Sequence, residues 1–261
     1  MLFRPRLIRW APDMSVPDRS VLIVLPTKNE ALVLEQNVRL LVRFLEGLPA
    51  LAGWQICIAD NGSTDATPAV AAALAADPRI RWFHLDESGR GRALARAWNE
   101  ATEDTLCYMD ADLSVDLTAL LHLLGAIARG ADVAYGSRFA LTAEIDRSLV
   151  REITSRGYNL LARFATGLKA RDAQCGFKAV RREAWSRLKT RVDHPGWFFD
   201  TQLLLAAEES GMKLVEIPVS WVEARDKRRK STVNLYRTIR DYLTDLRQER
   251  ARRRARAAAK E

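Results

Sequence analysis

Asp110 and Asp112, separated by Ala111, close the apolar run 105–109. Side chains alternate along an extended segment, so Ala111 is expected to point away while both carboxylates reach one crevice. Two hard oxygen donors with open coordination positions suit Mg²⁺ or Mn²⁺ bridging a diphosphate, where a divalent ion neutralises charge on a departing nucleotide. The same spacing also suits helix capping, with Asp112 or Ser114 as N-cap of a following helix. Taken alone, the pair does not choose between the two.

A second acidic pair, Asp60 and Asp65, brackets Asn61-Gly62-Ser63-Thr64. One reading is a turn at Asn61-Gly62 with Asp65 in a first helical turn. The other sets the Asp60 carboxylate on a donor N–H of a nucleobase. Gly89-Arg90-Gly91-Arg92 opens a helix after a third apolar run. Glycines there let backbone approach a ligand, and Arg90 or Arg92 can pair with phosphate. His84, His122 and His194 share no spacing and read as solvated or core residues.

Positioning these groups calls for a sheet. Apolar runs at 21–25, 55–59, 80–85, 105–109 and 133–135 each precede a turn or a helical pattern. That alternation predicts a mostly parallel sheet covered by helices on both faces, with ligands beyond the carboxyl ends of the strands. Thr67-Pro68 reads as N-cap and first helical residue of a helix to Ala76. Farther on, the pattern predicts a long helix over 147–168, a loop over 171–178 and a final strand over 214–222. No internal repeat is present.

Composition narrows the function classes. The formal charge of +8 is not spread evenly, because residues 225–261 hold 14 Lys/Arg against 5 Asp/Glu and carry +9, leaving the rest at −1. A nearly neutral body argues against a basic groove for nucleic acid and for a tail that meets an anionic surface. Three cysteines without a CxxC spacing suggest neither zinc nor a disulfide framework, and read as small buried hydrophobes in a reducing cytosol. No apolar run reaches the roughly 18 to 20 residues that cross a bilayer, and no signal-peptide core is seen. The expected location is cytoplasmic, peripheral on the cytoplasmic face of the membrane.

In order and spacing, Pro-Thr-Lys-Asn-Glu from Pro26, Ala-Asp-Asn-Gly-Ser-Thr-Asp-Ala-Thr from Ala59, Gly-Arg-Gly-Arg-Ala from Gly89 and Met-Asp-Ala-Asp-Leu-Ser from Met109 resemble the family 2 glycosyltransferases. Gly136-Ser137-Arg138, Arg171-Asp172-Ala173-Gln174-Cys175-Gly176-Phe177-Lys178, Trp197-Phe198-Phe199-Asp200 and Glu216-Ile217-Pro218-Val219 look more narrowly like the dolichyl- or polyprenyl-phosphate β-glucosyltransferase branch, with the mannosyltransferase branch close behind. The resemblance implies a GT-A fold over residues 20–224, after an N-terminal extension of 1–19. It implies that Pro26, Thr27, Glu30, Asp60 and Arg90 contact a nucleotide sugar, UDP-glucose or GDP-mannose. Asp110 and Asp112 would hold the metal and diphosphate, with Gln174 on the metal or sugar side. Arg138, Arg151 and Ser155 resemble a clamp for an acceptor lipid phosphate. Asp200 falls where relatives that glycosylate hydroxyls carry a base.

A phosphate monoester is already anionic at pH 7, with a second pKa of about 6, so such an acceptor makes a base optional. Asp200 then either orients the sugar or acceptor or acts as a base, and the plainer alternative is a buried helix N-cap before Thr201. Two residues depart from the family pattern: Lys28 stands where many relatives have tyrosine, and Ser231-Thr232-Val233 where many have Ser-Lys-Val, with Lys230 or Arg229 as substitute cation. Along the tail, Leu235, Tyr236, Ile239, Tyr242, Leu243 and Leu246 recur at three- and four-residue spacing opposite Arg237, Arg240 and Arg247. This basic amphipathic helix over 225–261 suits an anionic bilayer, or packs on the domain, another subunit or a membrane-protein partner. Two other functions fit less well: transfer to a saccharide or protein hydroxyl, and a non-catalytic adaptor, which would be signalled by a broken Asp-x-Asp pair.

Overall fold

A computed structural model describes residues 20–48, 51, 53–140, 145–146, 149–222 and 235–258, with the side chains of 145–146, 149–153, 222, 235–239 and 257 excepted. The extension 1–19, and Arg229, Lys230 and Ser231, lie outside the described residues.

Five consecutive residues of β1 (Ser20–Thr27), from Val21 to Leu25, are almost fully buried, as a strand covered on both faces requires. Their alternation divides the core. Val21, Ile23 and Leu25 face one layer, with α1 (Leu34–Glu46), α2 (Thr67–Leu74) and α4 (Thr118–Ala128). Leu22 and Val24 face the other, with α3 (Arg90–Asn99), α6 (Arg182–Leu188) and α7 (Phe199–Glu209). In α1 the buried Leu34, Val38, Leu41 and Leu45 form the apolar stripe that docks such a helix.

The seven-stranded sheet has the order β3-β2-β1-β4-β7-β5-β8, with β2 (Gly53–Asn61), β3 (Ile80–Leu85), β4 (Thr105–Met109), β5 (Val133–Ser137), β7 (Phe177–Arg181) and β8 (Leu214–Pro218). A small second sheet joins β6 (Ile145–Asp146) to β9 (Trp221–Val222). All pairings in the large sheet are parallel except those of β7, which runs antiparallel between β4 and β5. The mostly parallel, doubly covered sheet matches the expectation from sequence.

Local differences have physical causes. The predicted loop 171–178 gives way to β7 at Phe177, a strand disguised by Lys178. The final strand divides at Val219-Ser220 into β8 and β9. Thr67 is the first residue of α2 rather than its cap; Asp65 Oδ1 accepts from the Thr67 amide at 2.9 Å and from its hydroxyl at 2.5 Å. All three cysteines are buried and free. The long helix is α5 (Leu149–Thr166). The tail forms α8 (Leu235–Ala258), and Tyr242 and Leu246 pack with Tyr158, Ala162 and Phe198. Among the described residues no helix is long and apolar enough to cross a membrane.

Candidate active site

Strand register brings the candidate segments to one edge of the sheet. Thr27 lies opposite Asp60, Met109 opposite Phe177 and Ser137 opposite Pro218. The loop after β1 is tied to the segment after β2 by five hydrogen bonds, three of them at 2.8 Å. The Asn29 amide donates to Ser63 Oγ at 2.8 Å, the Thr64 amide to Asn29 Oδ1 at 2.8 Å, and the Glu30 amide to Thr67 Oγ1 at 2.8 Å. Asn29 sits at φ 56, a left-handed conformation that asparagine tolerates better than most residues. Pro26 is half-buried and Glu30 buried beside these ties.

Asp60 is fully buried, and both its oxygens are engaged: Ser63 Oγ donates to Oδ1, and His84 Nδ1 stands 2.6 Å from Oδ2. His84 therefore belongs to this edge. Sequence spacing had given it no role; the signal was the parallel register that sets it opposite Asp60. Buried Thr27 has a hydroxyl with no hydrogen-bond partner among the described residues.

After β4, Asp110 to Leu113 form a turn in which the Leu113 amide donates to Asp110 O at 3.0 Å. Ala111 is 4% exposed in the core and its carbonyl accepts from Asn37 Nδ2 of α1 at 2.8 Å, while Asp110 and Asp112 are half-buried. Asp112 Oδ1 accepts from the Ser114 amide and hydroxyl at 3.1 and 2.7 Å. The helix-capping alternative fails here. Helix α4 begins four residues beyond Ser114, and Asp116 caps it by accepting from Thr118 N and Oγ1 at 2.8 and 2.7 Å.

Arg90, 7% exposed, donates from Nη1 to Asp110 Oδ1 at 2.5 Å and has Nε 3.9 Å from Asp200 Oδ2. Its guanidinium lies 4.7 Å from the Trp197 ring centre and 5.3 Å from that of Tyr108. Burial works against the charge, but Asp110 and Asp200 outweigh it and raise the pKa. Nε and Nη2 have no hydrogen-bond partner among the described residues. The flanking glycines make room for a neighbouring segment. A Cβ on Gly89 would lie 2.7 Å from Pro195 O, and one on Gly91 would strike His194 O and sit 2.7 Å from Phe199 Cβ. The glycines thus let the 194–199 segment, and Asp200 behind it, close on Arg90.

Asp200, in the first turn of α7, is 2% exposed and accepts from Lys178 Nζ at 2.8 Å. Burial pushes the carboxyl up and the ammonium down, while the Arg90 guanidinium favours the charged form of Asp200 and Asp172 favours that of Lys178. Gly176 closes this centre: a Cβ there would meet Asp110 Oδ2 and would stand 2.7 Å from Arg90 Nη2.

Arg138, at the end of β5, is bidentate to the fully buried Asp172, with Nε 2.7 Å from Oδ2 and Nη2 2.8 Å from Oδ1. Nη2 also reaches Ser155 Oγ at 3.4 Å, and the guanidinium lies 5.1 Å from the Trp221 ring centre. Burial opposes each charge, yet the pairing raises the Arg138 pKa and lowers that of Asp172. Arg138 and Ser155 are thus together, and Arg151 is on α5 one turn before Ser155 with its side chain outside the described residues. Half-buried Gln174 lies near Tyr242 of α8, so the tail borders this edge. Lys28, the departure from tyrosine, donates to Ser88 Oγ at 2.7 Å.

Among the described residues no group of three or more His, Cys, Asp or Glu is arranged to hold a metal ion. Asp110 and Asp112 fit a divalent ion that completes its shell with diphosphate and water oxygens, as Mg²⁺ commonly does.

The family description "Glycosyl transferase family 2" matches residues 22–188. "Glycosyltransferase AglD" of Haloferax volcanii is 40% identical over 222 residues, 84% of this chain but only 35% of that protein, so the chain spans about a third of that relative. "Polyprenol monophosphomannose synthase" of Mycolicibacterium smegmatis is 32% identical over 79% of each chain. Among solved structures, glucosyl-3-phosphoglycerate synthase of Mycobacterium tuberculosis with Mn²⁺, UDP-glucose and phosphoglyceric acid superposes with a TM-score of 0.63 at 18% identity, over 94% of this chain and 85% of that one. That likeness establishes a shared fold.

Proposed function

The chain belongs to glycosyl transferase family 2, and from that premise we propose that it transfers a hexosyl group, glucose or mannose, from a UDP or GDP sugar to a polyprenyl phosphate. The observation that carries this reading is a two-sided site. Acidic Asp110 and Asp112 stand at the end of β4, and buried Arg138 with Ser155 at the end of β5.

In this reading Pro26, Thr27, Glu30 and Asp60, steadied by His84, receive the nucleoside, and Arg90 faces its diphosphate. Asp110, Asp112 and Gln174 would hold Mg²⁺ or Mn²⁺, which supplies charge neutralisation for the leaving nucleotide. Arg138, Arg151 and Ser155 hold the acceptor phosphate for in-line attack. A phosphate oxygen bonds to the anomeric carbon as the bond to the nucleoside diphosphate breaks, and the configuration inverts to β. The incoming phosphate is already ionised, so no proton has to be removed.

The acceptor's lipid chain calls for a membrane-facing surface beside Ser155. Leu160, Leu161 and Phe164 of α5 are 68, 39 and 91% exposed, with exposed Arg156 and Arg163 among them. An apolar strip rimmed by arginine suits an anionic bilayer. The domain division follows: extension 1–19, catalytic domain 20–224, and tail 225–261, whose exposed Arg247, Arg250 and Arg254 face the same kind of surface. We assign the protein to the cytoplasmic face of the membrane, with nucleic acid not among its partners.

Thermal stabilisation across a panel of UDP and GDP sugars, with and without Mg²⁺ or Mn²⁺, tests the donor side. Divalent-dependent stabilisation by a UDP or GDP hexose is expected; none with any of them would overturn the reading.

A further inference from the structure

Lys178 is fully buried, in the middle of the large sheet. Burying an ammonium is costly unless every proton finds an acceptor. Here Nζ has four oxygens around it: Cys175 O at 2.6 Å, Asp200 Oδ1 at 2.8 Å, Ala173 O at 3.1 Å and Tyr108 Oη at 3.1 Å. They belong to three different parts of the site. Tyr108 is two residues before Asp110. Ala173 and Cys175 flank Gln174, and the same loop carries Asp172, which grips Arg138. Asp200 begins α7 and faces Arg90, which in turn holds Asp110.

The charges alternate along this path, from Lys178 to Asp200 to Arg90 to Asp110. We infer that Lys178 is a positioning residue, whose ammonium holds Asp200 as a fixed carboxylate so that Asp200 aligns Arg90 and, through it, Asp110 for the nucleotide diphosphate. Asp200 so held does not serve as a base: one oxygen is bonded to the ammonium, the other lies beside a guanidinium, and the side chain is 2% exposed. The inference rests on the reading of the site given above.

The test is a double-mutant cycle on the full chain with Lys178→Met and Asp200→Asn, in which nucleoside diphosphate affinity with Mn²⁺ is measured by calorimetry. Lys178→Met is expected to weaken binding at least about tenfold in the native background, because it leaves Asp200 without its cation. In the Asp200→Asn background, where no charge needs holding, the same change is expected to cost less than about threefold. A lysine that merely anchors the 173–175 loop would cost the same in both, and that outcome overturns the inference while leaving the functional reading intact. If the unsubstituted protein binds no nucleoside diphosphate, the functional reading falls and the inference with it. Should Lys178→Met fail to fold, Asp200→Asn and Asp200→Ala give the answer alone: unchanged nucleotide affinity in both overturns it, and a loss in both supports it. Transfer to a sugar hydroxyl with an acidic limb abolished by Asp200→Asn would also overturn it.

Discussion

The guanidinium of Arg138 is paired edge to edge with the carboxylate of Asp172, at 2.7 and 2.8 Å, and both side chains are buried. Removing one partner strands the other charge, so Arg138→Ala is expected to destabilise the fold by roughly 3–5 kcal/mol. Asp172 has a pKa below its ordinary value in the folded state, so its contribution is present above the unfolded pKa of about 3.9 and lost as pH falls through the folded pKa. Urea midpoints measured from pH 6 down to pH 3 should show this acid loss in the native chain. Arg138→Ala should lose it, since burial alone favours the protonated acid.

Gly91→Ala tests the role of the glycine pair after β3. The added methyl meets His194 O and Phe199 Cβ, so the 194–199 segment must move away from α3. A stability loss of about 1–3 kcal/mol is expected, as for overpacking elsewhere. Nucleotide affinity should fall with it, because Trp197 and Asp200 move relative to Arg90. Loss of affinity without loss of stability would point instead to a direct backbone contact with the ligand.

Leu246 is 3% exposed between α8 and the domain, where Gln202 Nε2 donates to Glu249 at 3.2 Å and His194 lies 3.3 Å from Asp245. Leu246→Ala is expected to cost roughly 2–5 kcal/mol in chemical denaturation. A change near zero would mean that α8 stands free of the domain in solution.

On α5, Leu160→Ser with Phe164→Ser should weaken binding to vesicles containing anionic lipid several-fold and leave nucleotide affinity unchanged, because both side chains are exposed away from the Arg90 cluster. Sedimentation with vesicles checks the first and calorimetry the second. Undiminished vesicle binding would move the membrane contact elsewhere, to the arginines of the tail.

The parallel strands were legible in the sequence because their residues are buried on both faces and therefore read as unbroken apolar runs. Strand β7 was not, since its second residue is a lysine whose burial depends on oxygens from Tyr108, Ala173, Cys175 and Asp200, distant in sequence or hidden in a loop. Asp110 and Asp112 were legible as a pair, while the assignment of the α4 cap to Asp116 needed the structure. The sequence pointed to Arg138, and Asp172 was visible beside Gln174, but their pairing spans 34 residues and leaves no spacing signal. His84 was missed for the same reason: it meets Asp60 only through the register of β2 and β3. Tyr242 reads in the sequence as one residue of an apolar stripe, and its place near Gln174 needs the whole of α8 to be in position.

In the proposed function, one edge of the sheet joins a hexosyl donor to a lipid phosphate. Its most direct test is mass spectrometry of the products formed from a short-chain polyprenyl phosphate in detergent with UDP-glucose or GDP-mannose and Mg²⁺ or Mn²⁺. A β-linked hexosyl phospholipid is expected with one of these donors, lost on chelation of the metal and reduced at least about a hundredfold by Asp112→Ala, a loss typical of removing a charge-stabilising group from a transition state. No hexosyl phospholipid with either donor, or transfer only to a sugar or protein hydroxyl, would contradict it.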